Sequence, residues 1–240
     1  MLNNHKLLIS KEKDKGMEVS SRLVHLPCGT ASLEQMGFLK ELPKGEVFIE
    51  SGQVSKYCYV IKKGGVIGFE YSSGGDERIY DIMLPGSLML DACLLMNKPS
   101  PVYFKTLRPT ELICIDRHTL LDQMSDDFNL VMNIIESISY KFFSAMDMVR
   151  ETGCHDANWR FCNLLLMFAD KYGVPYDGKI MIAEKVSQQM FSDLLGVNRI
   201  TVNRIIKKLR DMGLILQVNG LYCISDMEKL RKHMDYIEAE

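Results

Sequence analysis

A short basic segment near the C-terminus carries residue types that could bind a nucleic acid. Between Arg199 and Arg210 there are five basic side chains and no acidic one: Arg199, Arg204, Lys207, Lys208 and Arg210. Lysine and arginine at this density neutralise phosphates, and one arginine can donate two hydrogen bonds to O6 and N7 of a guanine. Residues 151–240 hold equal numbers of basic and acidic side chains, so positive charge is concentrated here. The pattern predicts contact with DNA, although a charged helix alone is more often a solvated face.

Two helices joined by a tight turn are predicted to position these cations. Ser187 can cap a short first helix, Gly196 permits the turn, and Asn198 can cap the basic helix. Gly213 should end that helix. Its apolar residues recur at helical spacing and are expected to face inward: Val202, Ile205, Ile206 and Leu209. The arrangement is typical of a helix-turn-helix.

A hairpin and two further helices complete this part of the chain. Two apolar runs within residues 214–224 surround residues 219–220, an Asn-Gly pair typical of a two-residue hairpin turn. An earlier helix is predicted over residues 157–172, where a Gly-Val-Pro sequence stops it. Ser225 should cap the last helix, with Glu228 as its capping-box partner. Together these elements predict a winged helix-turn-helix.

The first half of the chain has the pattern of short strands. Apolar and polar residues alternate over residues 46–49, 58–61, 66–71 and 79–84, and glycines punctuate the runs. A Ser-Gly-Gly-Asp sequence at residues 73–76 looks like the tip of a hairpin. Short strands at this spacing predict a β-barrel or jelly roll over about residues 42–115.

A long helix is predicted between the two halves, over about residues 126–151. Six apolar residues fall at the alternating spacing of a heptad seam: Phe128, Met132, Ile135, Phe142, Met146 and Val149. Ser139 occupies the gap in this seam. Two interpretations stay open, because the seam could join two chains in a parallel coiled coil or pack on the chain's own barrel.

Composition and motifs exclude several classes of protein. The chain has 240 residues, 47% of them hydrophobic and 25% charged, with a net charge of -2, the balance of a soluble globular protein. No apolar run reaches membrane length and the N-terminus has no secretory pattern, so a cytoplasmic protein without membrane contact is expected. The seven cysteines are scattered, the five histidines are isolated, and no catalytic or zinc-binding motif is present. We therefore expect neither an enzyme nor a metal site.

Five sequence motifs resemble those of the CRP/FNR family of bacterial transcription regulators. They are residues 42–46 (LPKGE), 50–52 (ESG), 59–64 (YVIKKG), 84–86 (LPG) and 196–204 (GVNRITVNR). The resemblance covers the chain from about residue 37. It implies an α+β protein with an N-terminal double-stranded β-roll of the cyclic-nucleotide-binding type, a dimerisation helix and a winged helix-turn-helix. The implied boundaries are 1–30 for an N-terminal extension, 31–125 for the effector-binding roll, 126–153 for the helix and 154–240 for the DNA-binding domain.

The resemblance also implies roles for residues of the helix-turn-helix. Those at base-reading positions are Arg199, Ile200, Asn203 and Arg204. Those at phosphate-binding positions are Ser187, Gln189, Asn198 and Thr201, to which the basic helix adds Lys207 and Lys208. Many members have a glutamate where this chain has Ile200, which cannot accept a hydrogen bond but can pack against a thymine methyl group. The expected DNA site is therefore a palindrome rich in A·T pairs, bound by a homodimer. Most members activate transcription by recruiting RNA polymerase, which makes an activator the expectation.

A cyclic nucleotide is the best-known effector of the family, but we expect a different effector for this chain. Sites for that ligand have a Gly-Glu-Leu motif followed by an arginine, whereas residues 86–88 are Gly-Ser-Leu and the arginine position falls near residues 100–101, Ser-Pro. A buried phosphate without a cation would be costly. An iron–sulfur cluster needs four cysteine ligands, and only Cys28 lies in the N-terminal extension. The cysteines of the roll, Cys58, Cys93 and Cys114, are expected to be buried strand residues. A redox-responsive regulator, for example through Cys28 or Cys154, and a cyclic-nucleotide-dependent one stay open as alternatives.

The effector that we expect is a small organic molecule, and no further cofactor is expected. Its pocket is expected between the roll and the long helix, lined by Ser87, Leu88, Tyr103, Tyr140, Lys141 and Phe143. Lys141 could pair with an anionic head group. Members that sense halogenated phenolic acids have a similar recognition helix without the glutamate, so the chain also resembles that subgroup.

Overall fold

The structure is a computed structural model that describes residues 33–239, with side chains for residues 33–237. The predicted N-terminal extension, residues 1–30, lies outside this range, as does Cys28. A 3-10 turn at Leu33–Gln35 precedes the first strand. Within the described range no helix is both long enough and apolar enough to cross a membrane.

Residues 38–116 form a β-roll. In chain order its elements are β1 (Phe38–Leu42), β2 (Val47–Ile49), β3 (Tyr57–Lys63), β4 (Val66–Tyr71), β5 (Glu77–Met83), β6 (Leu88–Met89), α1 (Asp91–Met96), β7 (Tyr103–Thr106) and β8 (Thr110–Asp116). They make two antiparallel sheets, ordered β1-β8-β3-β6 and β2-β7-β4-β5. Ile61 and Leu112 of the first sheet meet Ile49 and Phe104 of the second in one buried cluster. The predicted jelly-roll architecture is confirmed.

Local sequence signals in the roll act as expected, with one correction. The Ser-Gly-Gly-Asp sequence joins β4 to β5, and the amide of Gly75 donates to the carbonyl of Ser72 at 2.9 Å. Cys58 and Cys114 are buried in strands β3 and β8. Cys93, expected in a strand, lies half-buried on α1 instead. Leu90 adopts a left-handed conformation with φ 58°, which ends β6 and starts this helix.

Two helices follow the roll: α2 (Arg117–Asp126) and α3 (Phe128–Cys154). The predicted long helix began at residue 126, but Asp127 separates the two helices. Its carboxylate accepts a hydrogen bond from the amide of Asn129 at 2.9 Å and so caps α3. At the other end, α3 extends three residues beyond the predicted Glu151.

Helix α3 presents two different faces. Leu130 and Ile134 are buried against the roll. The six seam residues are all exposed in this single chain, from 39% for Met132 to 73% for Phe128. In the first half of α3, packing on the roll therefore uses a different face from the seam, and the exposed seam is left available for a partner.

Residues 157–239 form the winged helix. Its elements are α4 (Ala157–Tyr172), β9 (Gly173–Tyr176), β10 (Lys179–Ile182), α5 (Gln188–Leu195), α6 (Arg199–Asp211), β11 (Ile215–Val218), β12 (Leu221–Ile224) and α7 (Met227–Ala239). The four strands make one antiparallel sheet, ordered β11-β12-β10-β9. The predicted helices and the hairpin at residues 219–220 are all present.

Two details of this part differ from the sequence prediction. The Gly-Val-Pro sequence that ends α4 is itself the start of strand β9, which pairs with β10. Helix α7 is capped by Asp226 and not by Ser225, since the Asp226 carboxylate accepts from the amide of Lys229 at 3.1 Å. The amide of Ser225 instead donates to the carbonyl of Leu214 at 2.9 Å, which closes the base of the wing hairpin.

The roll and the winged helix share a hydrophobic core. Ile67, Phe69 and Ile79 on the outer face of strands β4 and β5 belong to the same buried cluster as Phe161 of α4 and Phe191 of α5. Burial of apolar area of this kind is the main favourable term in folding. The winged helix is therefore docked on the outer face of the roll.

Candidate DNA interface and effector pocket

Three capping and turn interactions fix the geometry of the helix-turn-helix. The Ser187 hydroxyl accepts from the amide of Met190 at 3.0 Å at the start of α5. Gly196 ends that helix with φ 64°, a conformation in which a side chain is strained. The Asn198 side chain then accepts from the amide of Thr201 at 2.8 Å and from its hydroxyl at 3.0 Å. The cap at Asn198 and the turn at Gly196 thus fix the start of α6 relative to α5.

Helix α6 divides cleanly into an inner and an outer face. Its four predicted inward residues, including Val202 and Leu209, are buried. The polar and basic residues predicted to read bases or bind phosphates are exposed on the opposite face: Arg199, Asn203, Arg204, Lys207 and Lys208. Ile200 is also on that face and is 70% exposed, although it is apolar. Positions three and four apart are neighbours on a helix, so these side chains form one continuous surface.

The remaining phosphate-binding candidates lie at the starts of the two helices. Ser187 and Asn198 are exposed caps, and Thr201 is engaged with Asn198. Helix starts offer unpaired amides and a partial positive charge to a phosphate. Gln189 donates from its side-chain amide to Asp193 at 2.7 Å. Burial raises the pKa of the Asp193 carboxyl, an effect that this hydrogen bond opposes.

The structure has a cavity of about 400 Å³ between the roll and α3. Most of its lining is apolar, and the polar groups are few. The lining consists of Gly68, Tyr80, Asp81, Met83, Met89, Leu90, Asp91, Ala92, Cys93, Pro101, Val102, Phe104, Lys141, Ser144, Ala145, Met148 and Val149. A small apolar cavity with a few polar groups is typical of a site for an organic molecule.

Of the six residues predicted to line such a pocket, only Lys141 does so. Phe104 rather than Tyr103 faces the cavity, because neighbouring residues of a strand point to opposite faces. Tyr103 instead packs on Phe69 with ring centroids 5.4 Å apart, on the outer face of the roll. The Ser87 hydroxyl accepts from the amide of Leu84 at 3.2 Å and holds a turn.

The other three predicted pocket residues are also elsewhere. Leu88 is buried in a cluster with residues of β3, β8 and α3. Tyr140 and Phe143 lie on other faces of α3, because the cavity is lined by positions one helical turn apart, 141, 144–145 and 148. Phe143 is exposed and packs edge-on against Phe142. The six residues therefore do not share one pocket.

A buried ion pair at the edge of this cavity was not foreseen. The Lys141 ammonium donates to the Asp91 carboxylate, and the Ser137 hydroxyl donates to the other carboxylate oxygen at 3.0 Å. Asp91 is 1% exposed. The sequence signal that could have revealed it is a single acid within the apolar run of residues 88–95. Because Asp91 neutralises Lys141, an anionic head group would have to compete with this carboxylate.

Replacing Lys141 with methionine should lower the free energy of unfolding by about 2–3 kcal/mol. The change leaves Asp91 buried with Ser137 alone, and a buried charge that loses its counter-ion is strongly destabilising. Denaturant unfolding monitored by circular dichroism measures the loss. Adding Asp91→Asn to the same chain should recover most of it, and a double variant as unstable as Lys141→Met would show that the ion pair is not the cause.

The cysteines described in the roll have little thiolate character. Burial raises the pKa of Cys58 to about 12, and it also raises the pKa values of Cys93 and Cys114. Cys154, at the end of α3, is exposed. Residues 33–239 contain no group of three or more side chains suited to hold a metal ion.

Two protein-family models match the chain in the order of its two parts. The cyclic nucleotide-binding domain matches residues 39–127, which span the roll and α2. The Crp-like helix-turn-helix domain matches residues 160–233, which lie within the winged helix.

Known proteins similar to this chain are transcription regulators. The CRP-like cAMP-activated global transcriptional regulator of Mycobacterium tuberculosis (strain CDC 1551 / Oshkosh) is 20% identical over 206 residues, 86% of this chain and 92% of the relative. The anaerobic regulatory protein of Pasteurella multocida (strain Pm70) is 25% identical over 194 residues, 80% of this chain and 70% of the relative. The solved structure of OCPA-complexed CprK shares the fold, with a TM-score of 0.68, 17% identity and coverage of 84% of this chain and 92% of that one. The chain belongs to the CRP/FNR family of transcription regulators, whose members bind DNA and act as dimers.

Proposed function

We propose that this protein is a homodimeric regulator that reads a palindromic, A·T-rich DNA site and is gated by a small organic molecule. The observation that carries the proposal is the outer face of α6. Its basic and amide side chains are exposed together on a helix whose other face is buried. Such a face fits the major groove, where phosphate contacts position a helix and a few side chains read the base edges.

The base preference follows from the residues at the start of α6. Arg199 and Arg204 can each donate two hydrogen bonds to a guanine, and Asn203 can pair with an adenine. Ile200 has no hydrogen-bonding group and is exposed, so its natural contact in the groove is the methyl group of thymine. This set of side chains best matches a half-site that is rich in A·T pairs and has a few guanines at fixed positions.

The dimer is proposed to form through the seam of α3. The six seam residues are exposed while the opposite face of α3 packs on the roll. A parallel pairing of two such helices would bury the seam and relate the two winged helices by a two-fold axis. Two-fold symmetry in the protein calls for a palindrome in the DNA.

The effector is proposed to bind in the cavity between the roll and α3. Val149 both lines this cavity and belongs to the seam, and Ala145 of the cavity is next to Met146 of the seam. A ligand there would favour one arrangement of the two α3 helices over another, which is the thermodynamic basis of gating. We also propose that the protein activates transcription by recruiting RNA polymerase, and this proposal rests only on its family membership.

Two features argue against a cyclic nucleotide as this effector. The Ser100 hydroxyl, at the position where an arginine would bind the phosphate, donates to the carbonyl of Val102 at 2.6 Å. The cation of the cavity lining, Lys141, is already paired with Asp91. A redox-responsive mechanism through Cys154 is the second candidate, since this thiol is exposed at the end of α3.

An Arg204→Ala substitution tests the base-reading surface. It should weaken binding to the preferred DNA site by roughly 1–3 kcal/mol, or about 5- to 150-fold, and relax the preference at one position of each half-site. Arg210→Ala is the matched control, because it removes the same side chain from the far end of the same helix. For each variant, a mobility-shift titration with scrambled DNA as competitor measures the affinity and the discrimination between the two DNAs. Discrimination near that of the unsubstituted protein in Arg204→Ala would refute the assignment.

A further inference from the structure

A second cavity, also of about 400 Å³, lies where the winged helix meets the roll. It is separate from the roll–α3 cavity, with which it shares no lining residue. The floor is apolar and comes from both parts, with Ile82 from β5 of the roll, Met167 and Phe168 from α4, and Met190 from α5. We refer to it as the junction cavity.

The rim of the junction cavity is strongly basic. The roll contributes Lys44 and Arg108, and the winged helix contributes Lys171 and Lys185. Glu184 is the one acidic residue of the lining. Four cations against one carboxylate around an apolar floor make a positive potential that favours an anion.

The environment of Lys171 and Tyr172 also indicates that the junction cavity favours an anion. Burial lowers the pKa of the Lys171 ammonium, because removal from water penalises the charged form. Its nitrogen lies 5.7 Å from the centroid of the Tyr172 ring, within the range of a cation–π contact. Burial raises the pKa of the Tyr172 hydroxyl, the charge of Glu184 adds to this effect and the charge of Arg108 opposes it, so both charges lie near this group. An anion entering the cavity would meet cations from both parts of the chain.

We propose that the junction cavity binds a small organic anion with an apolar body, such as an aromatic or acyl carboxylate, sulfonate or phosphate ester. The anionic group would lie among Arg108, Lys171 and Lys185, and the body on Met167, Phe168 and Met190. Because the cavity exists only where the winged helix is docked on the roll, the bound anion favours the docked arrangement. The site is thus a second control point, independent of the roll–α3 cavity.

A DNA phosphate is the other source of the same anionic chemistry. Lys185 and Ser187 lead into the start of α5, where contact with the DNA backbone is proposed. A phosphodiester backbone would leave the apolar floor uncovered, which is why an organic body fits the cavity better. The test therefore includes DNA as a competitor.

The probe is 8-anilinonaphthalene-1-sulfonate, an apolar aromatic molecule with one sulfonate. It is titrated into the full chain while its fluorescence and the energy transfer from Trp159, the single tryptophan, are followed. Arg108→Gln/Lys171→Gln removes one cation from each side of the junction cavity. Lys207→Gln/Lys208→Gln removes the same charge from α6, and Ala145→Phe fills the roll–α3 cavity.

Arg108→Gln/Lys171→Gln should weaken the probe about 10-fold or more, whereas the other two variants should bind it as the unsubstituted protein does. The probe should also slow hydrogen exchange of β4 and β5 in the unsubstituted protein and in the two control variants, but not in Arg108→Gln/Lys171→Gln. Should the double variant fail to fold, Lys185→Gln, an exposed change on the same rim, replaces it. Equal affinity in all variants, loss of binding in Ala145→Phe, or stoichiometric displacement by non-specific duplex DNA would each overturn the proposal.

Discussion

Replacing Phe191 with alanine should cost about 3–5 kcal/mol of the free energy of unfolding. Phe191 is 0% exposed in α5, at the centre of the core that the winged helix shares with the roll. Its ring centroid lies 4.6 Å from that of Phe161, 5.4 Å from that of Tyr222 and 6.0 Å from that of Phe168. Truncation removes these aromatic contacts and leaves a cavity that rigid neighbours cannot fill.

Denaturant unfolding followed by the fluorescence of Trp159 measures this cost. Phe38→Ala is the matched control, because it makes the same change on the edge strand β1, where the side chain is 53% exposed. The control should lose no more than about 1 kcal/mol, as half-exposed surface residues do. A loss in Phe191→Ala as small as that of the control would mean that the shared core is not packed as described.

Replacing Phe142 with glutamate should convert the protein to a monomer and reduce its affinity for the preferred DNA site by at least ~100-fold. Phe142 lies in the middle of the α3 seam and is 60% exposed in the single chain. In a parallel dimer the two copies of this residue would face each other, so the substitution buries two like charges where two rings had packed. A monomer can bind only one half-site, so it loses the affinity that comes from the binding of two linked winged helices to one DNA.

Sedimentation velocity gives the oligomeric state, and a mobility-shift titration with the preferred site gives the affinity. Phe142→Leu is the control, since it keeps an apolar side chain in the seam and should remain dimeric with nearly full affinity. A Phe142→Glu protein that still sediments as a dimer would place the interface somewhere other than this seam.

Elements with local signals could be predicted from the sequence almost to the residue. Helix α4 occupies residues 157–172 as expected, because Asp156 caps its start through the amide of Trp159 and glycine follows its end. The basic helix begins at Arg199 since Asn198 is its cap, and the wing turns at its Asn-Gly pair. In each case a few neighbouring residues decide the structure.

Features that depend on distant partners were not predictable in the same way. Strand β9 contains Pro175 and reads as a helix stop, and it is a strand only because β10 pairs with it. The side of the roll that Tyr103 faces depends on its pairing with Phe69 of β4, next to an irregularity in the β4–β5 ladder. The docking of α5 on β5 could not be predicted, because the sequence of β5 does not show whether a buried residue such as Ile79 packs inside the roll or against another part of the chain.

Sequence-specific DNA recognition by a dimer can be measured by an unbiased selection of bound DNA from a random library. The purified protein is used under reducing conditions, first alone and then with pools of small organic molecules. We expect recovery of an A·T-rich palindrome, with half-sites about one helical turn of DNA apart. Recovery of an asymmetric or G·C-rich consensus, or of no consensus in any pool, would contradict it.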